Sequence, residues 1–293
     1  MAKYSDPSRI AVIAVNYETD ALAVRFVSEI TALAKGIPLK IVLVDNTERT
    51  DATEFFDLVL SENSDVLCIK SSANLGYFRG AWHGLKQCWG SDQAFDWVIV
   101  ANVDIRFPDS EFFVRLGAVK PTGEMGVIAP SILSGLSRHD QNPMMTERPS
   151  PFRMRCYRRL HRSFYLLNLY EVLAAAYHLA RSTIKPNLGW RPAGHDGASK
   201  PVPIYAPHGA CMIFSNEFFA RGGSLEVPFF LYGEEIYVAE TARALGLQVI
   251  YNPSLRLQHD EHQSTGLGGV LLSRQSARYL QETTDCLVET YFS

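Results

Sequence analysis

Apolar residues gather in short unbroken runs through the first third of the chain and lose that regularity afterwards. Ile10–Val15, Leu39–Val44, Val66–Lys70 and Trp97–Ala101 are each five or six residues long. Runs this short, largely without polar alternation, read as strands buried on both faces. A helix beginning at Thr19 or Asp20 and ending near Gly36 fills the first interval. Asp51 with Glu54 resembles a capping box for a second helix, and the glycine-bearing loop Asn74–Gly84 leads into a third. Strands alternating with helices predict an α/β fold: a mostly parallel sheet flanked by helices.

From about Ser134 to Pro203 the pattern breaks. Pro143, Pro149, Pro151, Pro186, Pro192, Pro201 and Pro203 punctuate it around an arginine-rich stretch. Order returns at Ile204–Ser215, with a helix over Glu235–Leu245 and strand-like segments at Gln248–Tyr251 and Ser254–Gln258. The expected organisation is a ligand-binding lobe (1–133), a basic and apolar helical insertion (134–203), and a smaller lobe with a C-terminal tail (204–293) that completes the site.

The 293 residues are 47% hydrophobic and 20% charged, enough for a substantial core. A formal charge of −3 argues against a general nucleic-acid binder. Five scattered cysteines without CxxC spacing read as reduced thiols, pointing to the cytoplasm. Ile10–Val15 is too short for a signal sequence, and Tyr165–Ala180, interrupted by Asn168, Glu171 and His178, is a poor transmembrane span.

Candidate chemistry clusters at the carboxyl ends of the apolar runs, where open α/β sheets bind ligands. Asp45-Asn46 follows the second strand; the bland use is a turn or cap, and the functional one is acceptance of a nucleobase N–H. In the loop Asn74–Gly80, glycine permits close backbone approach and Arg79 can reach a phosphate. Asn102-Val103-Asp104 follows the fourth strand, and extended geometry would put Asn102 and Asp104 on one side. A hard cation such as Mn²⁺ or Mg²⁺ needs only one or two carboxylates there besides substrate phosphates. Glu234 and Glu235 open a helix, where acids are commonplace beside the helix dipole. As a pair they also supply a general base. His259 lacks the spacing of a helical zinc pair.

Taken together and in order, these segments resemble the inverting glycosyltransferases of family 2, which have the GT-A fold. The matching segments are Ile13-Ala14-Val15-Asn16-Tyr17, Val44-Asp45-Asn46, Asn74-Leu75-Gly76-Tyr77 with Gly80 and Gly84, and Asn102-Val103-Asp104. They continue with Gly209-Ala210-Cys211-Met212-Ile213, Phe229-Phe230-Leu231-Tyr232-Gly233-Glu234-Glu235, and His259. The likeness covers roughly residues 8–133 and 204–265. It implies a nucleoside-diphosphate sugar donor with Asp45 at the base and Val15 and Asn16 lining the nucleoside pocket. It implies Asp104 on the metal, His259 as a further metal or diphosphate contact, Glu235 as general base, and Glu234 near a glycan or lipid-linked acceptor. Asn102 replaces the first acid of the DxD-like motif and Glu235 replaces an Asp. The first departure resembles a rhamnosyltransferase-like branch and hints at a deoxythymidine-diphosphate donor. Trp82, where relatives carry a small polar residue, bears on the sugar pocket.

Two alternatives stand beside a transferase of surface-polysaccharide synthesis. One is a non-catalytic nucleotide-sugar-binding partner of a polysaccharide assembly. The other is a sugar-1-phosphate nucleotidyltransferase, whose glycine-rich, basic first loop is missing at Asn16–Asp20. The insertion carries a further expectation. Nine basic residues between Arg148 and Arg191, five of them in Arg153–Arg162, face the single acid Glu171 and adjoin the apolar stretch Phe164–Ala180. That pattern predicts peripheral contact with the inner face of an anionic membrane, with a partner-chain interface or a plain solvated face as the alternatives.

Overall fold

The structure, a computed structural model, describes residues 8–34, 36–49, 52–60, 66–89, 95–120, 123–184, 200–261 and 272–293. Asp51 of the expected capping box, Gly266–Gly269, Pro186, Pro192, Lys185 and Arg191 lie outside these residues.

The first elements follow the sequence pattern closely: β1 (Ile10–Asn16), α1 (Asp20–Leu33), β2 (Leu39–Asp45), α2 (Thr53–Leu60), β3 (Val66–Lys70), α3 (Tyr77–Cys88) and β4 (Trp97–Asn102). β1 pairs in parallel with β2 and β4, and β2 with β3, in the order β3-β2-β1-β4. The unbroken apolar runs follow from burial on both sides. Ile10, Val12 and Ala14 pack in the cluster of Phe26 and Ile30 from α1, whereas Ala11 and Ile13 pack with Phe78 and Leu85 of α3.

The remainder is β5 (Ile105–Arg106), α4 (Phe112–Ala118), β6 (Met125–Ser134), α5 (Pro151–His161), α6 (Phe164–Ile184), β7 (Val202–Ile204), β8 (Cys211–Ser215), α7 (Asn216–Ala220), α8 (Glu234–Ala244), β9 (Gln248–His259) and α9 (Arg274–Tyr291). β8 lies antiparallel between β4 and β6, and β9 runs parallel to β6. β5 and β7 both pair antiparallel with β9. The sheet is therefore parallel over its first four strands and mixed beyond them. It is also continuous: residues before 134 and after 203 contribute neighbouring strands to one hydrogen-bonded sheet.

The insertion is helical and packs on α9, the segment expected to be a tail. Ser150 caps α5 by accepting the Arg153 N–H at 3.2 Å, with Pro151 in the first turn. Met154 of α5 joins Val288 and Phe292 in a small apolar cluster. Arg148 stacks on the Phe292 ring at 4.4 Å and pairs its Nε with Glu240 Oε1 of α8 at 2.6 Å. Glu240 is almost wholly buried and also accepts the Tyr205 hydroxyl at 2.8 Å, so the charge is well satisfied where it sits.

Gly84 shows how tightly α3 lies on the sheet. A Cβ there would come within 2.6 Å of Val44 Cγ2 and 3.1 Å of Val42 Cγ1. Valine is stiff at χ1 and cannot swing away. Gly84→Ala, favourable in an exposed helix, is expected to destabilise this protein by ~1–3 kcal/mol through overpacking. Urea unfolding monitored by circular dichroism checks this; an unchanged or raised midpoint would contradict the packing described.

Candidate active site

The carboxyl edge of β2, β1 and β4 is the floor of the site. Register places Asn16 beside Asp45 and Val15 beside Asn102, so four of the sequence candidates fall in two adjacent rows at the sheet edge. A cleft of about 580 Å³, within the usual range for a small-molecule site, opens above it. Val15, Asn46, Asn74, Gly76 and Asn102 line the strand side. His208, Gly209, Glu234 and Glu235 line the opposite side, and Ser273, which caps α9, with Gln275, Ser276 and Tyr279 of α9 adds an outer wall.

Gly76 joins the two sides. Its φ is +79°, and a Cβ would lie 2.2 Å from the Phe230 carbonyl oxygen, so only glycine fits. Its N–H donates to Asn74 Oδ1 at 3.0 Å, and its carbonyl accepts from Asn46 Nδ2 at 2.9 Å. Asn46 Oδ1 is buried without a hydrogen-bond partner and belongs to a residue lining the cleft. That oxygen is a ready acceptor for a ligand N–H or O–H.

Asp45, the expected base contact, is placed differently. Its fully buried carboxylate accepts from Asn16 Nδ2 at 3.0 Å and the Thr47 N–H at 3.1 Å, and it pairs with Arg49 Nε at 2.9 Å. Neither Asp45 nor Asn16 lines the cleft; Asn16 is fully buried beneath it, tying Asp45 to Asp20. Arg79 also departs from expectation. It is exposed, and its Nε donates to the Leu75 carbonyl of its own loop at 3.1 Å, so it is not at the cleft. Trp82 lies outside the cleft too, stacked on Phe219 beside a separate hollow of about 300 Å³.

The two glutamates meet the cleft through a turn built by Tyr232 and Gly233, both with left-handed backbones (φ +70° and +78°). A non-glycine residue in this region is uncommon and is held by its surroundings. Here α9 supplies the hold: Thr283 Oγ1 donates to the Leu231 carbonyl at 2.9 Å, and a Cβ on Gly233 would strike Thr283 at 2.6 Å. Glu235 lies against Gly209, where a Cβ would fall 2.5 Å from its Oε1. Burial raises the Glu235 pKa, opposed by backbone N–H groups including that of Gly209. Burial, and then the Glu235 charge, push Glu234 up to about 8. One Glu234 oxygen, Oε1, is buried without a hydrogen-bond partner. Two buried carboxyls with raised pKa therefore face the cleft.

Asp104 and His259 are brought together, just outside the cleft lining. The chain turns at Val103-Asp104 instead of continuing as a strand, so the alternation expected for 102–104 fails. Asn102 lines the cleft, while Asp104 is buried with its Oδ1 3.4 Å from His259 Nε2. Gln141 Nε2 donates to Glu261 Oε1 at 2.5 Å, which leaves Gln141 Oε1 to accept from His259 Nδ1 at 2.9 Å. With Nδ1 as donor, Nε2 is the ring nitrogen that faces Asp104 and is left for a metal. Among the described residues no group of three or more His, Cys, Asp or Glu side chains could hold a metal ion. One carboxylate and one imidazole this close fit two positions on a hard divalent cation that takes its other ligands from phosphates.

His208, not singled out in the sequence, sits between these features. Its Nδ1 accepts the Ala210 N–H at 3.2 Å and its ring lies 5.9 Å from that of His259. Burial, then His259, lowers its pKa to about 4, so it faces the cleft as a neutral Nε2–H donor. Its place directly before the Gly209–Ile213 motif was the available signal.

No protein-family model matches the chain. It is 23% identical over 265 residues to N-acetylglucosaminyl-diphospho-decaprenol L-rhamnosyltransferase of Mycobacterium tuberculosis, covering 88% of this chain and 78% of the relative. It is 22% identical over 241 residues to the low-salt glycan biosynthesis hexosyltransferase Agl10 of Haloferax volcanii, covering 82% and 63%. Among solved structures it resembles GalNAc-T7 with UDP, GalNAc and Mn²⁺, with TM-score 0.59 and 12% identity over 98% of this chain. It spans about half of that protein's length (49%). It also resembles the mannosyltransferase PcManGT of Pyrobaculum calidifontis in complex with GDP-Man and Mn²⁺, with TM-score 0.50 and 13% identity, covering 99% and 73%. The fold is the GT-A fold of glycosyltransferases.

Proposed function

We infer that this chain is a glycosyltransferase similar to the inverting enzymes of family 2. It would move a sugar from a nucleoside diphosphate to a glycan or lipid-linked glycan in polysaccharide synthesis. The observation that carries this is the pair of buried carboxyls with raised pKa, Glu234 and Glu235, facing the strand-end groups of Val15, Asn46 and Asn102 across one cleft in a GT-A fold. The mycobacterial relative's name puts its acceptor on a decaprenyl diphosphate, which supports a lipid-linked acceptor here.

In this reading Asn46 and Val15 hold the nucleoside over the sheet edge, with Asp45 beneath as a braced anchor for that edge. Asp104 and His259 would hold Mn²⁺ or Mg²⁺, which supplies charge neutralisation of the departing diphosphate. Asn102 and the neutral His208 donate hydrogen bonds toward the same end of the cleft. Glu235, fixed by the Gly209 N–H, takes the acceptor hydroxyl proton as that oxygen attacks the anomeric carbon. A single displacement of this kind inverts the configuration. Glu234 orients the acceptor.

A purely binding role is the weaker reading, because recognition alone gives no reason to bury two carboxyls side by side. The nucleotidyltransferase reading also loses ground: the loop after β1, Asn16–Asp20, carries neither the glycines nor the basic residue that would cradle a triphosphate. Among the described residues no helix is long and apolar enough to cross a membrane. The unpaired cysteines support placing the enzyme in a reducing compartment, the cytoplasm. A thermal-shift screen of UDP, GDP and dTDP with and without Mn²⁺ tests the assignment. One nucleotide is expected to raise the melting temperature, and more so with the metal, since a ligand binding only the native state stabilises it. No shift from any of them, together with no donor turnover, would rule the assignment out.

A further inference from the structure

We propose that α5 and α6 form a docking surface for anionic lipid that sets the cleft against a membrane. This rests on the lipid-linked acceptor inferred above, and its test reads out without it.

Every exposed residue of α6 from Tyr165 to Leu173 is apolar or aromatic: Tyr165, Leu166, Leu169, Tyr170, Val172 and Leu173. Tyr165 is 74% exposed and Leu173 60%. At 3.6 residues per turn these positions make one broad face, while Leu167 and Asn168 on the opposite side are buried. A surface helix normally turns its polar side outward, and a contiguous apolar face marks a contact surface.

The arginines beside it identify the partner. Arg153, Arg155 and Arg159 are exposed on α5, directly before the apolar face. Arg158 and Arg162 are partly spent internally, on Asp285 and Glu289 of α9. The five-arginine cluster expected from sequence thus leaves three outward charges. Apolar area next to cationic side chains complements a negatively charged lipid surface. A second copy of this chain fits worse, because a two-fold contact would set the same arginines against each other.

Position gives the surface its use. The Leu272 N–H donates to Asn168 Oδ1 at 2.8 Å, and Arg274 lies over the Phe164 ring at 4.9 Å. The neighbouring residues Ser273, Gln275, Ser276 and Tyr279 form the outer wall of the cleft. The start of α9 therefore carries the apolar face on one side and the acceptor side of the cleft on the other. An acceptor with its head in the cleft and its polyprenyl chain in a bilayer needs that proximity.

The experiment is co-sedimentation of the full chain with phosphatidylcholine vesicles, with and without phosphatidylglycerol, at low and high salt. Binding is expected only with phosphatidylglycerol and is weakened by salt. Arg155→Ala with Arg159→Ala is expected to lower vesicle affinity ~30-fold, about fivefold for each residue. Leu169→Glu with Leu173→Glu should abolish binding. These side chains are exposed, so circular dichroism and nucleotide-induced stabilisation should not change. No binding to phosphatidylglycerol vesicles at low salt, or binding indifferent to both double variants, would overturn the proposal. So would a dimer in sedimentation velocity that Leu169→Glu with Leu173→Glu dissolves while vesicle binding is absent. Loss of donor turnover with vesicle binding intact would instead count against the enzymatic reading.

Discussion

Glu235→Gln is expected to lower sugar transfer at least ~10²-fold while nucleotide binding persists, the usual scale for losing a general base. The substitution keeps the size that Gly209 accommodates and removes only the ability to accept a proton. The wild-type pH profile is its companion. Burial raises the Glu235 pKa, and burial with the neighbouring charge takes Glu234 to about 8. Two carboxyls whose charges are felt by one another titrate as a pair. A base works deprotonated, so kcat/KM should fall as pH drops through the raised pKa, with a midpoint above the ordinary carboxylate range. Glu235→Gln should erase that limb. Glu234→Gln should be milder and act mainly on the acceptor's KM. Near-full transfer by Glu235→Gln would remove the residue from the chemistry, whatever its pKa.

The second large effect is loss of the metal site. Asp104→Ala, or EDTA on the wild type, is expected to cut activity ~10²-fold or more, because a cation offsets leaving-group charge by several kcal/mol. Mn²⁺-dependent stabilisation by a nucleoside diphosphate should vanish in the same variant, a readout that needs no turnover. His259→Ala should raise the Mn²⁺ requirement. Gln141→Leu should weaken Mn²⁺ ~10–100-fold by releasing the His259 ring, the range expected when an outer-shell partner is removed. Full activity in EDTA would overturn the metal assignment. Unchanged Mn²⁺ affinity in Gln141→Leu would break only the link from Glu261 through Gln141 to His259.

The first four strands were legible because they are buried on both faces, and continuous apolar runs are the signature of that environment. β6 was not: Gly126 and Pro130 break its run, and its partners β8 and β9 lie far along the chain. α9 was missed because it is largely polar, its buried side defined by α5 and by the loop at Leu231. Within the site, strand ends place Val15, Asn46 and Asn102 at the edge whatever follows. Which side chain of Asp45-Asn46 faces a ligand depends on Arg49 and Asn16 as partners for Asp45. The spacing of Asn102 and Asp104 misled because a turn intervenes. His208 and Gln141 needed three dimensions, since each acquires its role from residues brought up by another part of the sheet.

The Gly76–Phe230 contact bears on how such enzymes diverge and can be recombined. Donor and acceptor loops that touch backbone to backbone cannot be exchanged one at a time. A graft replacing Asn74–Gly80 alone would have to match the existing course of Phe229–Gly233, and any side chain at 76 would displace the turn that presents Glu234 and Glu235. Chimeras between relatives should therefore keep these two segments as one inherited unit together with Asn46, which holds the Gly76 carbonyl, and new donor preference should be sought at Val15 and Asn102.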